Sequence, residues 1–115
     1  MSEALLKITN EEMVELVREQ LSTIYDPELP VDIYNLGLIY NIDCHTDEVS
    51  RLKRCKITMT LTSATCSMSE IIVDLVRSIS NRIEALEEVD VEIVFDPPWS
   101  QDSMTDEAKL AMGLL

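Results

Sequence analysis

The stretch CKITMTLTSATCSMSEIIVDLVRSI, Cys55 to Ile79, changes its period part-way along. Its first residues alternate, with Cys55, Ile57, Met59 and Leu61 on one face, as a half-buried strand does. After Cys66 the period becomes helical. Met68, Ile71, Ile72, Leu75, Val76 and Ile79 fall on one apolar stripe that continues to Ile83 and Leu86, and Ser67 with Glu70 has capping-box spacing. A strand that feeds a helix through a short run of small hydroxyl residues predicts a βα unit, and that unit decides the fold class.

Downstream, VDVEIVF (89–95) alternates again and is expected to bury Val89, Val91, Ile93 and Phe95. A right-handed crossover through the helix sets this strand beside the preceding one. Upstream, Leu38 to Cys44 alternates with Leu38, Tyr40, Ile42 and Cys44 on one face, which pairs with 55–61 as a hairpin. The connection HTDEVSRLKR (45–54) is polar and reads as a mobile tip. Before the hairpin, YDPELPVDIYNLGLIY (25–40) is broken by Pro27 and Pro30, and Asp32 is placed to cap a single turn that ends at Gly37. The chain opens with TNEEMVELVREQLSTI (9–24), where Thr9 and Glu12 have capping-box spacing and Met13, Leu16, Val17, Leu21 and Ile24 recur at helical period. It closes with the proline-stiffened loop DPPWSQDS and a short helix from Met104 to Met112. The order is α-β-β-α-β-α, a two-layer α+β fold with a three-stranded mixed sheet, expected as one domain over residues 1–115.

Twenty-two acidic residues against nine basic ones give a formal net charge of −13, which opposes binding to nucleic acid or to an anionic membrane surface. The N-terminal residues lack the basic and apolar regions of a secretory signal, and no apolar run approaches the roughly 20 residues of a membrane span, so the expectation is a cytoplasmic protein. Nothing in the sequence matches a glycine-rich phosphate loop. Three cysteines, Cys44, Cys55 and Cys66, form no CxxC pair, and reduced thiols are expected.

Cys66 has the chemically interesting position. Free N–H groups and the positive end of a helix dipole stabilise a thiolate, which is the metal-binding and nucleophilic form of cysteine. Position alone leaves Cys66 open between such chemistry and a small tolerated residue. Cys44 and Cys55, on the apolar phase of their strands, read as core-facing small hydrophobes. His45, the only histidine, lies on the hairpin tip away from Cys66, which argues against a Cys-His hydrolase. Asp26, Glu28 and Asp32 suit either a metal or a capped turn beside two prolines. Trp99, the only tryptophan, either anchors its loop to the core or marks a partner surface.

Three ordered motifs add a resemblance. YDPELPVDIYNLGLIYNI, TLTSATCSMSE and FDPPWSQDSMTDEAKLAMGLL resemble the family that includes the bacterial SufT-type iron-sulfur cluster assembly factors. That family also includes the small component of the eukaryotic cytosolic iron-sulfur targeting complex and an accessory subunit of a phenylacetyl-CoA epoxidase. The resemblance runs from about Tyr25 to Leu114. It implies a small α+β fold of the iron-sulfur-assembly type and a non-catalytic maturation factor that delivers clusters to apo-proteins. It also implies Cys66 as the cofactor and metal contact, with Asp26, Pro27, Glu28, Asp32, Thr65 and Trp99 as motif or partner-binding residues beside Leu36 and Gly37.

Many relatives carry proline after the cysteine, where this chain has Ser67, which keeps a residue suited to a helix start. The epoxidase subunit typically adds a cysteine-rich C-terminal segment, and the absence of one before Leu115 favours the assembly factor. The implied cofactor is a labile iron-sulfur cluster or iron, shared between two chains of a homodimer or with a partner, because one thiolate cannot enclose a cluster. The implied partners are assembly scaffolds, carriers and apo-recipient proteins. Two rival readings are a metal-free interaction module built on the acidic surface and Trp99, and an enzyme with Cys66 as nucleophile. The second lacks a legible base, oxyanion donor set or substrate pocket.

Overall fold

Thr9 starts the first helix, as its spacing to Glu12 predicts. The Glu12 amide donates to Thr9 Oγ1 at 3.0 Å and the Thr9 amide donates to Glu12 Oε1 at 3.3 Å, which satisfies two donors that a helix start otherwise leaves free. Helix α1 (Asn10–Leu21) then turns Met13, Val17 and Leu21 into the core. The computed structural model describes residues 8–25, 30–61 and 69–114. The Ser67/Glu70 capping box and the start of the stripe at Met68 lie outside these described residues.

Strands β1 (Ile39–Thr46) and β2 (Lys53–Met59) form the antiparallel hairpin, with Ile42 opposite Ile57 and Cys44 opposite Cys55. The expected alternation in β1 breaks at one point. Ile39 faces Met59 and Asn41 faces Thr58, so Tyr40 is the extra residue of a β-bulge. Ile39, Ile42 and Cys44 therefore supply the core phase, while the Tyr40 hydroxyl donates to Pro97 O at 2.6 Å.

Strand β3 (Leu86–Ile93) pairs in parallel with the other side of β2, giving the sheet order β1-β2-β3. Helix α2 (Ser69–Arg77) and a 3₁₀ turn at Ser78–Asn81 make the crossover. After a second 3₁₀ turn at Gln101–Ser103, helix α3 (Asp106–Ala111) closes the described chain, with Thr105 Oγ1 accepting from the Ala108 amide. Both long helices pack on one face of the sheet: α1 over β1 and β2, α2 over β3. No described helix is long and apolar enough to cross a membrane.

The helical stripe expected to run through Leu86 stops early, because Leu86 is the first residue of β3 and lies opposite Lys53. The Lys53 amide donates to Ala85 O at 2.8 Å, so pairing with a distant strand outweighs the local helical period. Ile71 is 48% exposed despite its place on the stripe, and Phe95, expected in the core, is 51% exposed. Along β3 the core phase passes from buried Val89 through half-buried Val91 and Ile93 to exposed Phe95, so among the described residues the helix layer ends before the apolar face of the sheet does.

The opposite face of the sheet is polar and ordered in rows. His45, Arg54 and Glu88 share one row, and Asp43, Lys56 and Asp90 the next, so the cationic middle strand has acidic neighbours on β3 in both rows and on β1 at Asp43. Arg54 reaches Glu87 at 3.1 Å and Glu88 at 3.3 Å, and Lys56 reaches Glu92 at 2.6 Å. The hydrogen bond that Lys56 donates to Glu92 raises the Lys56 pKa, and the one that Arg54 donates to Glu87 raises the Arg54 pKa. At the hairpin tip, Asp47 Oδ1 accepts from the Val49 and Ser50 amides at 2.8 and 2.9 Å. The Ser50 amide first, then that of Val49 and the nearby Arg54 guanidinium, hold the Asp47 carboxyl below its ordinary pKa. The loop read as a mobile tip thus carries its own hydrogen-bonded turn.

Cys44 and Cys55, expected as reduced thiols, form a disulfide with their Cα atoms 4.1 Å apart. The register explains it, since the two residues are direct cross-strand partners. Both are buried in the core, as their phase predicts. One turn nearer the tip, Lys53 is 7% exposed and donates from Nζ to Thr46 Oγ1, which lies 3.3 Å from Asn10 Oδ1 at the start of α1.

Candidate functional site

The single turn that Asp32 is placed to cap forms as its sequence predicts. Asp32 accepts the Asn35 amide on Oδ2 at 3.0 Å and Asn35 Nδ2 on Oδ1 at 2.8 Å, which holds one turn of chain closed. The Leu36 amide donates to Asp32 O, the Gly37 amide to Tyr34 O, and Gly37 then takes φ +83° so that Leu38 can enter the hairpin. A bridge between Tyr25 and Asp32, with the Ile33 amide donating to Ile24 O at 2.8 Å, ties the chain that follows α1 to the start of this turn.

Two distant segments lock onto this turn. Trp99 Nε1 donates to Leu36 O at 2.7 Å, and the half-buried ring packs against the core. Thr105, the cap of α3, donates through its amide to Asn35 O and through its hydroxyl to Asn35 Oδ1, both at 3.0 Å. Asn35 is therefore the hub that joins Asp32 to the closing helix. Sequence reasoning passed over Asn35 and Thr105. The clue was the Asx-type spacing of Asp32 and Asn35, but no local signal paired Asn35 with Thr105. A shallow cavity of about 180 Å³ beside the turn is lined by Tyr25, Pro30, Asp32, Asn35 and residues of α3.

The end of β2 meets the same framework. The Thr60 amide donates to Leu38 O at 2.8 Å, and on the other side the Val94 amide donates to Met59 O at 2.9 Å. Thr60, on the phase opposite the core, is only 1% exposed. Its Oγ1 is the buried side-chain polar atom for which no hydrogen-bond partner exists among the described residues. A buried hydroxyl without a partner costs about 1–3 kcal/mol. Thr60→Val should leave the melting temperature unchanged or raise it, and a fall of several degrees in calorimetry would show that the hydroxyl is satisfied.

Of the residues singled out in the sequence, Asp32 and Trp99 come together through Leu36 and Asn35. Asp26, Pro27, Glu28, Thr65 and Cys66 lie outside the described residues; Ile24, before the first of their segments, and Thr60, before the second, each bond to residues 33–38. Among the described residues there is no group of three or more His, Cys, Asp or Glu placed to hold a metal ion. The disulfide sharpens the ligand inventory: with Cys44 and Cys55 joined, Cys66 is the one remaining thiol of three. The chain's own cysteines are therefore too few to supply four thiolates to a cluster.

Comparison with known proteins agrees with this arrangement. A family model described as iron-sulfur cluster assembly protein matches residues 15–95. A "Fe-S protein maturation auxiliary factor" of Porphyromonas gingivalis is 37% identical over 107 residues, covering 93% of each chain. The Bacillus subtilis "Fe-S protein maturation auxiliary factor YitW" is 40% identical over 104 residues, covering 90% of this chain and 97% of the relative. In three dimensions, a domain of unknown function from Bacillus anthracis superposes with a TM-score of 0.78 at 37% identity, covering 92% of this chain and 96% of the other. The mixed three-stranded sheet with its helices is thus a shared architecture, and the chain belongs to the iron-sulfur cluster assembly protein family.

Proposed function

We propose that this protein is a non-catalytic, cytoplasmic, single-domain maturation factor that assists the assembly of iron-sulfur clusters or their delivery to apo-proteins. The observation that carries the reading is the thiol inventory in a chain of this family. With Cys44 and Cys55 joined, Cys66 is the one cysteine of three left to contact a cluster, too few to enclose it in thiolates, which supports contact in transfer over permanent binding. Relatives of similar length named as Fe-S protein maturation auxiliary factors support the same role. In this reading the cluster or iron is cargo, contacted by the Cys66 thiolate and shared with a second chain or a carrier. Asp26, Pro27, Glu28, Asp32, Thr65 and Trp99 shape the surface that meets the scaffold, carrier or apo-recipient. The rigid Asp32–Asn35–Thr105 and Trp99–Leu36 contacts supply the frame from which that surface is presented.

The test is anaerobic reconstitution with iron and sulfide, followed by transfer to an apo-ferredoxin read by visible absorption. Cys66→Ser should abolish most of the transfer while leaving the far-UV spectrum and melting temperature unchanged. Equal occupancy and equal transfer rates in the two proteins would remove Cys66 from the mechanism. Metal analysis of protein purified without oxygen, together with capture of the recipient, separates cluster handling from a metal-free interaction module.

A further inference from the structure

A groove lies where the apolar face of β3 runs out from under α2. Glu70, Val73, Asp74 and Arg77, at the spacing of one helix face, form one wall, and Leu61, Ile93 and Phe95 form the other side of a cavity of about 460 Å³. The floor is apolar and Phe95 is half exposed, whereas the rim carries two carboxylates and one guanidinium. The groove adjoins an open sheet edge, because β3 is the last strand of the order β1-β2-β3 and pairs on one side only among the described residues.

We propose that this edge and groove bind an extended peptide segment of a partner protein in which basic and apolar residues alternate. The strand geometry specifies that pattern. A segment added to β3 places alternate side chains on the two faces of the sheet. On one face they lie beside Glu88, Asp90 and Glu92, which are all exposed; Glu88 and Glu92 already reach Arg54 and Lys56, so the negative charge left for a newcomer centres on Asp90, where lysine or arginine is the favourable cross-strand neighbour. On the other face they lie beside Val91, Ile93 and Phe95 and enter the groove under Val73, where apolar side chains fit.

The same charges argue against a second copy of this chain as occupant. Two β3 strands side by side would set Glu87, Glu88, Asp90 and Glu92 against their own counterparts, on chains that each carry a formal charge of −13. Edge carboxylates thus block self-pairing while leaving the edge open to a cationic strand. The inference takes from the proposed function only the idea that the peptide belongs to a scaffold or recipient, and its test reads binding alone, without a cluster.

The probe is a synthetic eight-residue peptide alternating lysine with valine and phenylalanine, titrated into isotope-labelled protein and followed by backbone amide NMR. A twin with glutamate at every lysine position serves as control. The lysine peptide should shift the amides of β3 and α2, and the glutamate twin should not. Phe95→Ser and Asp90→Lys should each weaken binding about tenfold or more, since one removes an apolar contact and the other inverts a cross-strand pair. Asp43→Lys, on the far edge strand β1, should change affinity less than about twofold. Binding of both peptides alike, or equal weakening by Asp43→Lys and Asp90→Lys, would reduce the effect to diffuse attraction and overturn the proposal. A dimer seen in sedimentation and dissolved by Phe95→Ser would overturn it in favour of a second copy.

Discussion

Gly37→Ala should destabilise the protein strongly, because two costs fall on one residue. Gly37 has φ +83°, and holding alanine in that left-handed region costs about 1–2 kcal/mol. A Cβ at this position would also sit 2.1 Å from Ser103 O and 2.6 Å from Ser103 C, both backbone atoms that cannot swing away like a side-chain tip. Displacing packed chain typically costs a further 1–3 kcal/mol or about that. The total, about 2–5 kcal/mol, corresponds to a fall in melting temperature on the order of 10 °C or more for a domain of this size.

Gly113→Ala provides the internal control, because Gly113 has a similar φ of +77° but nothing within 4 Å of its built Cβ. It should show the conformational cost alone. If the two variants melt within about 2 °C of each other, the close approach of Ser103 is not a constraint. A larger gap places the contact between the turn and the Trp99 loop among the main tertiary restraints. Loss of that contact should also disturb the bond from Trp99 Nε1 to Leu36 O, so the tryptophan fluorescence should report the same variant.

The second large effect concerns the hairpin disulfide. Cys44 and Cys55 are separated by 11 positions, and closing a loop of that length removes unfolded-state entropy equivalent to about 3 kcal/mol. Dithiothreitol should therefore lower the melting temperature by roughly 10 °C, whereas a Cys44→Ala/Cys55→Ala double variant should melt low and respond to no reductant. Alkylation in denaturant gives the matching chemical count. Without prior reduction one of the three cysteines, Cys66, should be modified, and after reduction all three. Three alkylated cysteines without reduction would remove the staple from the stability argument. It would leave the thiol count of the candidate site open to the hairpin pair.

Much of the site frame was legible because its signals are local. Asp32, just past two prolines and ahead of Gly37, is placed to cap a single turn that ends at the glycine, and the turn forms as read. What joins that turn to the rest was not legible. Asn35 meets Thr105, Leu36 meets Trp99, and Gly37 meets Ser103, all across long sequence separations where no periodic pattern links the partners. The oddness of three cysteines pointed to free thiols, yet strand register decided the matter by setting two of them opposite each other.

The division has one physical cause. Helix caps, turn residues and the change from a two-residue to a helical period are short-range properties, so α1, the hairpin, the βα unit and the order of elements follow from the sequence by itself. Wherever a segment had two locally acceptable states, its distant neighbour chose. Pairing with Lys53 drew Leu86 from the helical stripe into β3, and a bulge against Thr58 and Met59 removed Tyr40 from the core phase. The limited reach of α2 left Phe95 half exposed beside a groove. Hydrogen-bond pairing and coverage by a second layer are settled between segments remote in sequence, so only the tertiary structure could decide them.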